Sequence, residues 1–248
     1  MAIETIGIIG GGVMGSGIAQ ALAVGGCKVM IRDMNDDLLA KSRSTIVEGR
    51  YGLNRGVERG KTTQADADAA LARLSWTTAV ADLADVDMII EAVPEDLELK
   101  KKVFGELDTV VKGGAIFASN TSGLAIADLN QAVAEQRRPR FIGMHFFSPA
   151  SIMKLVEIIY APETAEETIA AVEGVCARMG KGTVRVKDAP GKYGFIANRI
   201  YFAAVREAQK VLEEGIATPE DINKAMVYGF NWPVGPLAMI EGATKGWQ

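Results

Sequence analysis

The chain contains one histidine, His145, in a position that suits proton transfer. The apolar run 141–144 precedes it, so His145 is predicted to close a strand. In a doubly wound α/β sheet, ligands bind outside the carboxyl ends of the strands. Imidazole changes charge nearest to neutral pH and is the natural proton acceptor there. A hydrogen-bonded histidine of the core is the alternative, and the sequence alone leaves both open.

An acidic residue, Glu157, interrupts the next apolar stretch, 153–159. A carboxylate buried in a strand is costly unless it is paired, so we expect a cationic or N–H partner. Glu157 could orient His145, or it could form an ion pair with Lys154 or an arginine. The spacing favours neither interpretation.

Polar residues follow another predicted strand, which ends near Ala118. The segment Ser119-Asn120-Thr121-Ser122 would lie at the same carboxyl edge as His145, although such residues also simply begin helices. Asn198 lies early in a predicted helix, where asparagine is often a local capping group. Taken singly, these signals assign no function.

A glycine-rich turn near the start of the chain predicts a nucleotide site. The apolar run 6–9 leads into Gly10, Gly12 and Gly15, and Asp33 follows a helical stretch and a second apolar run. The three glycines suit a tight turn, a close approach of pyrophosphate to the backbone, and close packing of helix on strand. The helix N-terminus attracts phosphate, and an acid at the position of Asp33 binds a ribose hydroxyl. This pattern is typical of dinucleotide-binding βαβ units.

The elements that must position these residues alternate along the chain. Strands are predicted at 6–9, 28–31, 86–93, 115–118, 141–144, 155–160 and 183–186, and helices at 13–24, 36–59, 62–74, 96–111, 165–179, 195–214 and 219–228. We therefore expect a Rossmann-type, doubly wound, mostly parallel α/β sheet, with 36–59 and 62–74 as a projecting helical hairpin. The linker 188–191 divides a domain of 1–187 from a smaller all-helical domain of 192–248.

The cluster Arg137-Arg138-Pro139-Arg140 is predicted to be a solvated loop.

Composition excludes several classes of function. A formal net charge of −4 and a pI of about 5.3 argue against a general nucleic-acid binder. No run of about 18 apolar residues predicts a membrane span, and the first apolar run is too short for a signal peptide. Cys27 and Cys176 are expected to be small core residues. A cytoplasmic protein is the default expectation.

Several motifs together resemble the L-3-hydroxyacyl-CoA dehydrogenases, and the 3-hydroxybutyryl-CoA dehydrogenase branch looks nearest. They are the glycine fingerprint, Ile90-Glu91-Ala92-Val93-Pro94-Glu95-Asp96-Leu97-Glu98-Leu99-Lys100, Ser119-Asn120-Thr121-Ser122, Met144-His145-Phe146-Phe147-Ser148-Pro149 and 153–159. The resemblance implies NAD-dependent, reversible oxidation of an L-3-hydroxyacyl-CoA to a 3-oxoacyl-CoA. It implies that His145 is the general base and that Glu157 orients it. Ser122 would bind the substrate oxygen, and Asn198 would complete the polar cluster.

The fingerprint and the resemblance also predict the ligand contacts. The cofactor-binding candidates are Gly10, Gly12, Val13, Met14, Gly15, Asp33, Glu95, Lys100, Asn120, Ser122 and Ser148. The carboxylate of Asp33 favours NAD over NADP because it repels a 2′-phosphate. Arg50 and Arg55 are electrostatic candidates for coenzyme A, with solvated helix charges as the alternative. No metal is expected.

The sequence departs from the family pattern at several positions. Gly123 stands where many members have a second serine, and Ser148 replaces an asparagine. The linker Gly191-Lys192-Tyr193-Gly194 is longer than usual. Members usually continue beyond the position of Gln248, so the helical domain is expected to be incomplete relative to the family, and a homodimer is expected when those helices are present. A dehydrogenase of a free hydroxy acid and an inactive nucleotide-binding homologue are the alternative functions.

Overall fold

The computed structural model describes the backbone of residues 3–245 and the side chains of residues 3–240. The described residues divide into two compact units, one reaching to Tyr193 and the other beginning at Gly194. None of the described helices is long and apolar enough to cross a membrane.

The first unit is built on one sheet of eight strands in the order β3-β2-β1-β4-β5-β6-β7-β8. Neighbouring strands are parallel, except that β6 and β7 are antiparallel. The predicted mostly parallel, doubly wound sheet is confirmed. Its strands are β1 Thr5–Ile9, β2 Lys28–Arg32, β3 Leu74–Thr77, β4 Met88–Glu91, β5 Ile116–Ser119, β6 Phe141–Phe146, β7 Leu155–Tyr160 and β8 Gly182–Lys187.

Helices cover both faces of this sheet, as its continuous apolar strands require. They are α1 Val13–Val24, α2 Asp36–Glu48, α3 Leu53–Glu58, α4 Gln64–Leu71, α5 Leu97–Val110, α6 Ile126–Leu129 and α7 Glu166–Arg178. Strand order reverses between β1 and β4, and that reversal opens the crevice in which ligands of such sheets bind. Cys27 and Cys176 are buried core residues, as expected, and burial raises the pKa of both thiols.

The predicted hairpin of two long helices is wrong in detail. The segment 36–59 forms α2 and α3, which residues 49–52 separate. The backbone there needs Gly49 and Gly52, because a Cβ at either position would lie 2.8 Å or less from a backbone carbonyl oxygen. Thr63 caps α4, accepting a hydrogen bond from the N–H of Asp66. That helix ends at Leu71, however, and the predicted helical residue Leu74 begins β3. Helices α2 and α4 both pack against α1, and α3 packs between α2 and α4.

The expectation of a solvated arginine loop is also wrong. Arg137 is 4% exposed and forms an ion pair with Asp108. Its guanidinium donates to the carbonyl oxygens of Val111, Lys112 and Ala115. The long side chain therefore joins the segment before β6 to the end of α5.

The second unit is helical, as predicted. It contains α8 Ala197–Glu213, α9 Pro219–Phe230 and α10 Pro236–Lys245. The Thr218 side chain accepts from the N–H of Asp221 and caps α9, with Pro219 in its first turn. Helix α10 packs on both α8 and α9.

Candidate active site

A histidine and a glutamate face each other across the only antiparallel strand pair of the described sheet. His145 and Glu157 are directly opposed in the register of β6 and β7. Nδ1 of His145 lies 2.7 Å from Oε2 of Glu157. The pairing predicted as one of two alternatives is therefore present. Glu157 is fully buried and His145 is 3% exposed, so the hydrogen bond is shielded from water.

This geometry fixes which ring nitrogen can act as a base. An ionised carboxylate can only accept hydrogen bonds, so the proton of neutral His145 stays on Nδ1 and Nε2 is the basic nitrogen. When the ring takes up a second proton, Glu157 lies next to the new positive charge and stabilises it. The ring also packs against Phe147, with centroids 4.5 Å apart. An oriented imidazole with a buried carboxylate partner is suited to general acid–base chemistry.

Asn120 connects the end of β5 to the strand that carries His145. Its Oδ1 accepts from the N–H of Phe146 at 2.9 Å, and its own N–H donates to the carbonyl of Glu91 in β4. The carboxyl ends of β4, β5 and β6 are thereby joined by one residue. The predicted residues of the Ser119–Ser122 segment and His145 do lie at the same edge of the sheet.

Ser122 is positioned by a network that reaches back to β4. Its backbone N–H donates to Oε1 of Glu95 at 2.8 Å, and the hydroxyl of Thr121 donates to the same oxygen at 2.6 Å. Thr121 in turn accepts from the N–H groups of Gly123 and Leu124. Glu95 therefore holds the turn that presents the hydroxyl of Ser122.

Lys100 supports this carboxylate from inside the protein. It is 1% exposed, and its Nζ lies 2.7 Å from Oε1 of Glu91, 3.1 Å from the carbonyl of Val93 and 3.3 Å from Oε2 of Glu95. Nζ donates hydrogen bonds to the first two of these oxygens and forms an ion pair with the third. Lys100 thus holds the carboxylate of Glu95 from inside the protein, and its role as a cofactor contact stays a prediction.

Sequence reasoning assigned no role to Glu91 or Thr121. Glu91 is fully buried, and besides Lys100 its carboxylate accepts from the Ser119 hydroxyl at 2.7 Å and the Val93 N–H at 2.7 Å. Burial raises the pKa of this carboxyl, against the lowering effects of Lys100, Ser119 and Val93. The signal that could have revealed it is an acid in the last position of an apolar strand, nine residues before a lysine on the following helix.

The glycine turn between β1 and α1 has the shape that a dinucleotide requires. Gly10 has a φ of +96°, and a Cβ on Gly15 would lie 1.8 Å from the carbonyl oxygen of Gly10. A Cβ on Gly12 would meet nothing within 4 Å, so the backbone there is open to a ligand. Gly12 caps α1 without a side chain, and the first turn, which includes Val13 and Met14, carries no acid. The N-terminal N–H groups of α1 can therefore receive a pyrophosphate.

Asp33 lies beside this turn at the end of β2. Its Oδ2 accepts from the N–H of Gly11 at 2.7 Å, and its Oδ1 accepts from the N–H of Met34 at 2.7 Å. Each carboxylate oxygen has a second lone pair, so both can still accept from ribose hydroxyls. The residues present fit NAD.

The surroundings of the remaining candidates are as follows. Ser148 is exposed in the loop after β6. Arg50 lies over the ring of Tyr51, and Arg55 forms an exposed ion pair with Glu58 at 2.5 Å. Asn198 occupies the first turn of α8 in the second unit. Among the described residues there is no group of three or more His, Cys, Asp or Glu side chains that could hold a metal ion.

Comparison with known proteins places the whole arrangement in one family. Residues 5–189 match the 3-hydroxyacyl-CoA dehydrogenase NAD binding domain, and residues 194–247 match the C-terminal domain of the same family. The mitochondrial hydroxyacyl-coenzyme A dehydrogenase of Rattus norvegicus is 39% identical over 96% of this chain and 76% of its own length. A 3-hydroxybutyryl-CoA dehydrogenase of Mycobacterium tuberculosis is 38% identical over 97% of this chain and 82% of its own.

A solved structure agrees with these sequence matches. The (S)-3-hydroxybutyryl-CoA dehydrogenase PaaH1 of Ralstonia eutropha superposes with a TM-score of 0.90 at 42% identity, covering 96% of this chain and 81% of that one. The resemblance first seen in the motifs is confirmed, and the chain belongs to the 3-hydroxyacyl-CoA dehydrogenase family of NAD-dependent oxidoreductases.

Proposed function

We propose that this protein interconverts an L-3-hydroxyacyl-CoA and the corresponding 3-oxoacyl-CoA, with His145 as general base and Glu157 as the residue that orients it. The observation that carries the assignment of roles is the buried hydrogen bond of 2.7 Å between these two side chains at the carboxyl edge of the sheet. A dinucleotide turn lies at the same edge, because β1 and β6 run in the same direction in the sheet.

In the oxidative direction, Nε2 of His145 takes the proton of the 3-hydroxyl group while the C3–H bond breaks. Bound NAD supplies the acceptor for the hydride that leaves carbon 3. Glu157 stabilises the imidazolium that results, and the Ser122 hydroxyl donates to the substrate oxygen. In the reductive direction, the imidazolium returns the proton to that oxygen. By resemblance, Asn198 is a further candidate for binding the same oxygen.

The cofactor-binding residues are proposed in two groups. Backbone N–H groups at Gly12, Val13 and Met14 bind the pyrophosphate, and Asp33 binds the adenosine ribose and selects NAD. The second group lies toward the reacting end and comprises Glu95, Asn120, Ser122 and Ser148, with Lys100 acting through Glu95. Gly10 and Gly15 shape the turn.

The remaining assignments rest on the sequence, on the positive charge of Arg50 and Arg55 and, for the homodimer, on the family resemblance. We place the NAD-binding domain at residues 1–187 and the helical domain at residues 192–248, while the two compact units divide between Tyr193 and Gly194. Arg50 and Arg55 attract the phosphates of coenzyme A. The protein acts in the cytoplasm, and it forms a homodimer when further C-terminal helices are present. Assembly is measured by light scattering of the purified protein.

The function is tested by steady-state reduction of acetoacetyl-CoA with NADH, followed by nicotinamide absorbance. Free acetoacetate is the matched control, because it carries the same reacting carbon without coenzyme A. Turnover of the thioester alone is expected. Equal turnover of the free acid would favour a hydroxy-acid dehydrogenase, and NADH binding without turnover of either would indicate an inactive homologue.

The cofactor preference is tested by replacing NADH with NADPH in the same assay. The Asp33 carboxylate repels a 2′-phosphate, so kcat/KM is expected to be at least about tenfold higher with NADH, which corresponds to about 1.4 kcal/mol of discrimination. A preference for NADPH would show that Asp33 does not select the cofactor.

A further inference from the structure

We propose that Tyr193 is a specificity-determining residue, whose ring limits the length of the acyl group that the site accepts. This inference rests on the proposed function and extends it to the choice among acyl-CoA substrates. It depends on a contact between the loop that carries Ser122 and the linker that ends the first unit.

The ring of Tyr193 lies directly on Gly123. A Cβ built on Gly123 would be 2.2 Å from Cδ2, 2.6 Å from Cε2 and 2.8 Å from Cγ of that ring. Side-chain atoms do not approach a Cβ so closely, so the ring occupies the space that any other residue at position 123 would fill. Gly123 and Tyr193 therefore fit each other, and both positions are departures from the family pattern.

A second contact holds the linker along the same loop. Oδ2 of Asp188 accepts from the N–H of Ala127 at 2.8 Å, and its own N–H donates to the carbonyl of Tyr160 in β7. Asp188 is 9% exposed. The linker thus contacts both ends of the segment 123–127, and Tyr193 lies against Gly123, the residue that follows Ser122.

The position and exposure of the ring suit contact with a substrate. Ser122 precedes Gly123, and the same turn is held by the bond from the Ser122 N–H to Glu95. Tyr193 is 60% exposed, so the ring surface that does not cover Gly123 is available. Of the two groups on carbon 3, the alkyl tail is the apolar one, and an aromatic surface favours it over the polar thioester and pantetheine.

The size of the ring then sets a limit to the alkyl tail. A substrate held at its 3-oxygen by Ser122 and His145 extends its tail toward the adjacent ring, where added methylenes have less room. One methylene in such a pocket changes selectivity by about 10- to 200-fold. Removal of the ring should therefore favour longer substrates, while the short substrate keeps its reacting geometry.

The test measures kcat/KM for acetoacetyl-CoA and for 3-oxooctanoyl-CoA with NADH. For Tyr193→Ala, the ratio of the longer to the shorter substrate is expected to rise about tenfold or more. Tyr193→Phe keeps the ring, and Lys192→Ala changes an exposed neighbour on the same linker, so both should keep the ratio of the unsubstituted protein. An unchanged ratio in Tyr193→Ala would overturn the inference alone. No turnover of any acyl-CoA by the unsubstituted protein would overturn the proposed function as well.

A double-mutant cycle tests the contact itself. Gly123→Ala forces the ring away, so it should raise the ratio in the same direction as Tyr193→Ala. In the double variant, the second substitution should add nothing, because the ring that it displaces is already absent. Additive effects, or no effect of Gly123→Ala in either background, would show that the ring on Gly123 does not limit the substrate.

Discussion

Two regions at the same edge of the sheet use different chemical groups, backbone N–H groups in one and buried side chains in the other. The turn from β1 to α1 offers backbone N–H groups and carries no side chain at its three glycines, with open backbone at Gly12 and tightly packed backbone at Gly10 and Gly15. The pair β6–β7 carries buried side chains, and those of His145 and Glu157 are hydrogen-bonded across the strands. The glycine turn is defined by its lack of side chains, and the β6–β7 pair by its buried ionisable side chains.

The difference follows from what each region must do. A pyrophosphate needs several N–H donors and space, which a helix N-terminus supplies without ionisable groups. Proton transfer needs one group with a fixed tautomer, and this requires a partner that is itself protected from water. Substitutions in the glycine turn should therefore affect NADH binding, and substitutions in the β6–β7 pair should affect turnover.

The largest expected effect is on turnover in His145→Gln. The amide cannot take the substrate proton, so kcat should fall by about 10²- to 10⁴-fold. The dissociation constant of NADH, measured by fluorescence titration, should stay within about twofold, because the nucleotide turn is backbone. Glu157→Gln keeps the ring but loses the charge and should lower kcat less. Parallel loss of NADH affinity and kcat in His145→Gln would indicate a structural histidine.

The second test concerns Lys100, which lies between the two regions. Replacement of the buried ammonium in Lys100→Met leaves the carboxylate of Glu91 without its cation, and loss of one partner of a buried pair costs about 3 to 5 kcal/mol. The free energy of unfolding from urea titration should fall by that amount. Lys101→Met, on the same helix with a half-exposed side chain, is the control. A loss of NADH affinity at unchanged stability would show that Lys100 contacts the cofactor directly.

A third test compares two glycines of one turn. Gly15→Ala places a Cβ 1.8 Å from the carbonyl oxygen of Gly10, so the backbone must shift, at a cost of about 1 to 3 kcal/mol of stability. Gly12→Ala meets no protein atom within 4 Å and should leave the thermal midpoint unchanged. Its methyl group occupies the approach of the pyrophosphate, so NADH affinity should fall about tenfold, or about 1.4 kcal/mol. Equal stability losses in both variants would contradict this division.

The sequence predicted these two regions unequally well. The glycine turn was predictable, because the spacing of its glycines corresponds to a tight turn, an open backbone and close helix–strand packing. Spacing alone does not decide the pairing of His145 with Glu157, which the family resemblance implies, because only the antiparallel register of β6 and β7 brings residues twelve positions apart face to face. Glu91 was given no role, since its partners Lys100 and Ser119 come from two other elements.

The same limit explains the errors in the fold. Arg137 sits in a run of arginines that is typical of a surface loop, and only the packing of α5 beside β5 offers it Asp108 and three carbonyl groups. The strand β3 is short and lies at the edge of the sheet next to β2, so its four residues carry little periodicity of their own. Helix caps such as those at Thr63 and Thr218 depend only on neighbours within a few residues, so the sequence carries their signal locally.

The smallest effect is expected at the opposite edge of the sheet, where no chemistry is proposed. Asp87 precedes β4 and accepts from Lys112 and from the N–H groups of Glu4 and Thr5. Burial raises the pKa of this carboxyl, but the hydrogen bonds from Lys112, Thr5 and Glu4 outweigh it and hold the pKa well below its usual value. The folded state therefore binds the proton less readily than the unfolded chain does.

This shift gives a stabilisation that is present above the ordinary carboxyl pKa and is lost as the pH falls toward the lower folded value. Asp87→Asn should lower the free energy of unfolding by about 1 kcal/mol at neutral pH, and the difference from the unsubstituted protein should shrink under acid. Urea titrations across this pH range measure it, with the exposed neighbour Asp85→Asn as control. Because Asp87 lies at the amino edge, kcat should not change. A fall in kcat at full stability would mean that the two edges are coupled, and the separation of binding from turnover by region would then fail.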